Sequence, residues 1–200
     1  MTQFEFFMSF YSLLLGLAVA ELMAGFGNLI RAHRQPKWGL LTPLLGIDLF
    51  ISLIASFNDA WDNLQHVTIG FSGIAVPSLI GVSYFVSAIL VTPRQVESWP
   101  SLDNYYRSRG RLAVAALIVV QLLTILFLEL ATGGVTAMSG AGQIAYALIN
   151  VTVVGLLVVA ALAPWRRVVA GAFVLYGVIV VTLYAAPISI ESWVKLSAGS

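Results

Sequence analysis

The chain has 200 residues, 60% of them hydrophobic and 10% charged, with a mean hydropathy of +0.94 and a formal net charge of +1. No water-soluble domain of this size covers so much apolar surface, so lipid is the solvent of the fold, and without water to satisfy the backbone its long apolar runs become helices, not barrel strands. Cysteine is absent, which excludes thiolate metal sites, iron–sulfur clusters and thiol nucleophiles, and the balanced charge offers nucleic acid no basic surface.

Stretches of about 20 apolar residues mark the helices of a single polytopic membrane domain over residues 1–200. The start, Met1-Thr2-Gln3-Phe4-Glu5, lacks the basic segment of a signal peptide, and the apolar run from Phe6 to Ile30 is too long for its hydrophobic region. This run is therefore expected to stay as a first helix at 4–30. Within it Ser12, Gly16, Ala20 and Ala24 recur at every fourth position, a small-residue seam that admits another helix from the same chain, a second protomer or a membrane partner. Glu21 lies one position off the seam.

Arg31, Arg34 and Lys37, with a solvated His33 and Pro36 among them, form the first loop. The second helix, 39–61, carries Pro43 and Asp48 and runs into the polar stretch Asn58 to His66. Asp59, Asp62 and His66 are spaced three and four apart, as ligands of a divalent cation would be on one helix face, but the stretch reads better as a wet loop, and no metal site is assigned. The third helix, 67–92, holds Pro77 and Tyr84, and a bend at the proline would widen space above the tyrosine. The loop from Gln95 to Gly110, with Trp99, Tyr105, Tyr106 and its arginines, suits an interfacial segment on anionic lipid. A fourth helix at 112–132 carries Gln121, the Gly-rich Thr132 to Gly142 follows, and a fifth at 143–164 carries Asn150. Trp165-Arg166-Arg167 separates it from a sixth at 168–187 with Tyr176, and the tail from Ile188 to Leu196, around Trp193, is expected on the outer surface.

Nine of the ten Lys and Arg residues fall in alternate loops, the first, third and fifth; Lys195 alone lies elsewhere. Such loops stay cytoplasmic, so the expectation is six transmembrane helices with both termini outside the cytoplasm, as in a bacterial inner-membrane protein. Trp38, Trp61, Trp99, Trp165 and Trp193 fall near the interfaces, where aromatic belts form. The two halves echo each other weakly: Glu21-Leu22 and Gly25 against Glu129-Leu130 and Gly133, Leu79-x-Gly81-Val82 against Leu175-x-Gly177-Val178. With three helices in each half, such a repeat would be inverted, as in many transporters.

Counted from the basic residue ending each helix, Glu21, Asp48, Tyr84, Gln121 and Tyr176 stand nine to eleven positions away, which at 1.5 Å per residue is roughly 15 Å, about half the hydrocarbon thickness. Asn150 falls nearer the outer face. An ionised carboxylate at mid-membrane must be paired or protonated. On adjacent antiparallel helices, Glu21 and Asp48 are expected to meet and share a proton. Two readings follow. In the first, the protein is a small membrane transporter or channel for protons, a monovalent cation or a small solute, with Glu21 and Asp48 titrating and Gln121, Tyr84 and Tyr176 lining the site. In the second, the polar residues bond helices together and the protein is a non-catalytic membrane subunit that scaffolds, senses or regulates a partner. No catalytic motif, haem ligand or retinal lysine is found, so no enzyme activity and no cofactor are assigned.

Overall fold

The computed structural model describes residues 2–32, 37–64, 71–132 and 140–185. His33, Arg34, Pro36, His66, Gly133 and the tail with Trp193 and Lys195 lie outside the described residues, as do the side chains of Glu129 and Leu130. The described chain is helical, with no strand and one isolated backbone bridge, between Lys37 and Ser101. Helix α1 covers Gln3–Arg31, α2 Leu41–Leu64 and α3 Phe71–Val91. After a 3-10 turn at Val96–Ser98, α4 (Leu102–Tyr105) passes through a π turn at Tyr106–Gly110 into α5 (Arg111–Thr132); α6 is Gly140–Leu162 and α7 Arg166–Ala185. Six helical runs are long and apolar enough to cross a membrane, by length and composition: α1, α2, α3, the joined α4 and α5, α6 and α7.

Local chemistry sets several boundaries. A capping box starts α1: Glu5 N donates to Thr2 Oγ1 at 3.1 Å and Thr2 N to Glu5 Oε2 at 2.8 Å. Pro43 falls in the first turn of α2, where its missing N–H has no helical partner to lose, so it starts the helix and does not kink it. Pro77 is inside α3, seven residues before Tyr84.

Around the bundle the order is α1, α3, α5, α6, α7, α2 and back to α1, and α2 also touches α3 and α5. That position makes α2 the most enclosed helix. Its inward stripe Leu41, Leu45, Leu49 and Leu53 forms the core with Leu15, Ala18 and Leu22 of α1 and Phe173 of α7. Large apolar side chains cover the outside, among them Leu13, Ile54, Leu122, Leu148 and Val178, a surface that suits lipid and not water. The halves pack differently: α1 lies extensively along α3, while the corresponding α5 and α7 have no comparable contact among the described residues.

Helices α1 and α3 approach through glycine. A Cβ on Gly81 would lie 2.9 Å from Leu14 Cβ, and one on Gly25 would overlap the Thr92 side chain. Both contacts have the same sequence offset, which brings Glu21 level with Ala88 of α3. The seam of Ser12, Gly16, Ala20 and Ala24 is on the other side: all four are exposed, and nothing lies near Gly16. The close internal contact of α1 thus uses Leu14 and Gly25 instead.

The loop expected to rest on lipid is part of the bundle. The fourth membrane run begins at Leu102, ten residues before the expected 112, because its side chains have internal partners. Leu102 is fully buried with Leu29 and Val96, and Tyr105 and Tyr106 are buried as well. The segment ties down helix ends. Asp103 Oδ1 accepts from Leu41 N at the start of α2 (3.2 Å), and Asp103 Oδ2 pairs with Arg166 Nε at the start of α7 (2.8 Å). The Tyr105 hydroxyl is shared between the carbonyls of Leu90 and Thr92 at the end of α3 (2.9 and 3.1 Å). Tyr106 Oη donates to Ala160 O (2.7 Å) and Arg111 Nη2 to Ala163 O (2.8 Å), both at the end of α6. Terminal N–H and C=O groups that α-helices leave unpaired are satisfied here by side chains from one segment.

Candidate functional site

Helix α2 carries polar residues at Asp48, Ser52, Ser56 and Asp59, a spacing of four, four and three that keeps them on one helix face. Tyrosines from three other helices meet this stripe. Ser52 Oγ donates to Asp48 O at 2.7 Å and also lies 2.7 Å from Tyr176 Oη of α7. With its one proton used on the carbonyl, Ser52 accepts from Tyr176. Tyr84 Oη of α3 donates to Ser52 O at 2.9 Å and stands beside the Ser56 side chain. Tyr11 Oη of α1 and Ser56 Oγ are 2.6 Å apart, and Tyr184 Oη of α7 donates to Asp59 Oδ2 at 2.6 Å. The result is a column of carboxyls and hydroxyls from mid-helix to the end of α2 away from the arginines. Asp48 to Asp59 spans about 16 Å at the helical rise per residue.

Asp48 is the inner terminus of the column. It is 3% exposed, and its Oδ2 has no hydrogen-bond partner, one of two such buried side-chain atoms among the described residues, the other being Arg111 Nε. Its Oδ1 faces Gly177, where an added Cβ would stand 2.7 Å away. The absence of a side chain on α7 therefore makes room for this carboxyl. Tyr176, the residue before Gly177, places its hydroxyl within electrostatic range of the Asp48 carboxyl. Toward the arginine-rich end the packing is mostly apolar: Leu41, Leu45, Leu49, Val91 and Leu102 are each fully buried, Phe26 lies against Gly46, and the buried hydroxyls of Thr42 and Ser87 donate to the carbonyls of Leu102 and Ala113.

Of the residues singled out from sequence, Asp48, Tyr84 and Tyr176 come together. Glu21 and Gln121 do not join them. No hydrogen bond or ion pair between Glu21 and Asp48 is found among the described residues; Glu21 is half-exposed on the α1 side that meets α3, whereas Asp48 points to α7. Equal depth on neighbouring helices did not imply equal azimuth. Gln121 Nε2 donates to Asn150 Oδ1 at 3.0 Å, and Asn150 Nδ2 to Tyr146 O at 2.9 Å, so this amide pair bonds α5 to α6. Asp59 is bonded to Tyr184 and Asp62 is exposed, and no cluster of three metal-ligating side chains occurs among the described residues.

Reading the sequence by depth alone passed over Ser52, Ser56, Tyr11 and Tyr184. The four-residue spacing from Asp48 through Ser56 was a usable signal; the tyrosines, which come from separate helices, had none. Comparison with protein-family models, with curated proteins and with solved structures returns no match.

Proposed function

We propose that this protein is a small transporter or channel of a cytoplasmic membrane, with the arginine-rich end in the cytoplasm and both termini outside. Asp48, with Tyr84 and Tyr176, binds the species that moves or drives movement: a proton, a monovalent cation or a small solute. The observation that carries this reading is Asp48 Oδ2, a buried, unpartnered carboxylate oxygen at the inner end of a polar column. Buried carboxyls inside membrane helices are costly and mark ion and proton paths. A side chain that only bonds helices together is engaged across the interface, as Gln121 Nε2 is with Asn150 Oδ1.

The site is asymmetric. If the two halves formed an inverted repeat, α6 would carry the counterpart of the α2 stripe; its residues include Asn150 and Thr152 but no acid. We therefore place the alternation of access in α2 and its tyrosine partners, without a matching site in the second half.

The test is flux of protons, sodium, potassium and small solutes into liposomes carrying the purified protein, comparing wild type with Asp48→Asn and Glu21→Gln. The expected outcome is flux that Asp48→Asn abolishes and Glu21→Gln retains. Folded, inserted wild-type protein that moves nothing across pH and cation gradients would refute the reading.

The exposed seam of Ser12, Gly16, Ala20 and Ala24 favours a second reading, a non-catalytic subunit whose α1 holds a membrane partner or another copy of the chain. Under it, Gly16→Leu would break a stoichiometric complex isolated in mild detergent. An unchanged complex, or none in the wild type, would count against it.

A further inference from the structure

Resting on the transport reading, we infer that the species Asp48 takes is a bare proton, delivered from the Asp59 end of α2 through the hydroxyls of the column.

Ligand chemistry separates a proton from a metal cation here. An alkali cation entering this site would have to exchange its hydration shell for several protein oxygens, as the carbonyl rings of selective channels provide. Around Asp48 the protons of Ser52, Tyr176 and Tyr84 are directed to one another or to backbone carbonyls, and Oδ2 receives none of them. A proton needs one lone pair, and Oδ2 supplies it. Protonation also removes the cost of a buried charge without any new ligand.

The groups facing α2 fit this assignment. From α7 come Tyr176 and Tyr184, from α3 Tyr84 and from α1 Tyr11. Helix α1 also carries Glu21, on its α3 side; α5 brings Gln121, bonded to Asn150, and α4 brings Asp103, held at the α2 N-terminus by Leu41 and Arg166. No cation pairs with Asp48 among the described residues. The hydrogen-bonded pairs sit on successive turns of α2, Asp59 with Tyr184, Ser56 with Tyr11 and Ser52 with Tyr176, about 5–6 Å apart at the helical rise.

The transfer conserves atoms and charge. Asp59 takes a proton from a hydronium ion at the column mouth, leaving water. Each hydroxyl then accepts a proton on an oxygen lone pair and releases its own to the next oxygen. For the last transfer the Tyr176 hydroxyl, which donates to Ser52 and lies within electrostatic range of Asp48, turns to Oδ2 and gives up its proton, converting the carboxylate to the neutral acid; rotation of the hydroxyls then resets the chain. Below Asp48, among the buried leucines and Val91, the buried hydroxyls of Thr42 and Ser87 donate to the backbone carbonyls of Leu102 and Ala113 and not to one another, so no chain of paired hydroxyls continues the path and exchange is one-sided in this conformation.

The test is time-resolved infrared spectroscopy of oriented proteoliposomes after a pH step applied at one face. The carbonyl stretch of the protonated carboxyl is assigned to Asp48 by its loss in Asp48→Asn. The band is expected to respond to the step at the Asp59 face and not at the arginine-rich face. Sodium or potassium should not displace it. In Ser56→Ala and Tyr11→Phe the response should slow by about a hundredfold, the scale of one missing proton-transfer partner, while Tyr105→Phe, at the opposite end, leaves it unchanged. A band that follows the arginine-rich face, yields to an alkali cation, or keeps wild-type kinetics in both column variants would overturn the inference. So would a folded wild type with no such band. A correct band without any flux would refute the transport reading and leave the proton assignment standing; sodium flux lost in Asp48→Asn would do the reverse.

Discussion

A methyl group at position 177 would compete with a carboxylate. Its carbon would lie 2.7 Å from Asp48 Oδ1, so Gly177→Ala forces the Asp48 side chain to rotate away from α7. The expected result is loss of most Asp48-dependent flux with a modest stability cost, about 1–3 kcal/mol for local overpacking, checked by flux assay beside thermal melting in detergent. The Gln121 and Asn150 pair predicts the opposite balance. Gln121→Leu removes one interhelical hydrogen bond worth about 1 kcal/mol in a membrane and should leave flux intact. A double-mutant cycle with Asn150→Leu should recover a coupling of that order; zero coupling would show that the amides do not bond in the membrane. At this scale the sequence was informative about which residues are polar at depth and uninformative about their direction. Glu21 and Asp48 have matching depth, yet one looks toward α3 and the other toward α7.

Helices in this bundle are positioned by small residues on one side and finished by side chains from elsewhere. Gly81→Ala would press a Cβ against Leu14 Cβ, an atom that cannot move without its backbone, so α1 and α3 must separate. The expected loss is about 1–3 kcal/mol, whereas Gly16→Ala, with nothing within 4 Å, should fall within about 0.5 kcal/mol of wild type. Spacing of small residues revealed a seam on α1 but could not say which side of the helix packs internally. The arginine-bearing segment was harder still. Aromatic and basic residues in a loop look alike whether they lie on headgroups or bond helix ends, and the partners of Tyr105, Tyr106 and Arg111 are carbonyls, which carry no mark in a sequence. Asp103→Ala should cost about 1 kcal/mol, as loss of an N-cap does, because it frees the first N–H of α2. Arg166→Ala breaks a pair whose arginine is 53% exposed and should cost clearly less. Equal effects in chemical denaturation would mean that the ion pair, and not the cap, matters.

Taken whole, the molecule has one end bonded together and one end joined through the column. Helix number, order and apolar character were legible because a bilayer sets a minimum length and forbids unpaired backbone. The arrangement around α2 was not, since apolar residues surround most of these helices and give no sidedness. Cross-linking offers a direct check. If the proposed transport occurs, cysteines introduced at exposed Asp62 and at Thr182 should cross-link at a rate that changes with the pH gradient, while a pair at Lys37 and Ser101, whose backbones bridge, should form at one constant rate.

The segment from Leu102 to Arg111 also has a position in time. Synthesis makes α1, α2 and α3 before Asp103 or Tyr105, so the first N–H of α2 and the last carbonyls of α3 exist for a time without their eventual partners. Until the segment follows, water has to satisfy these groups. The interval between synthesis of Thr92 and of Tyr106 is therefore the one in which three helices are complete and their shared fastening is not.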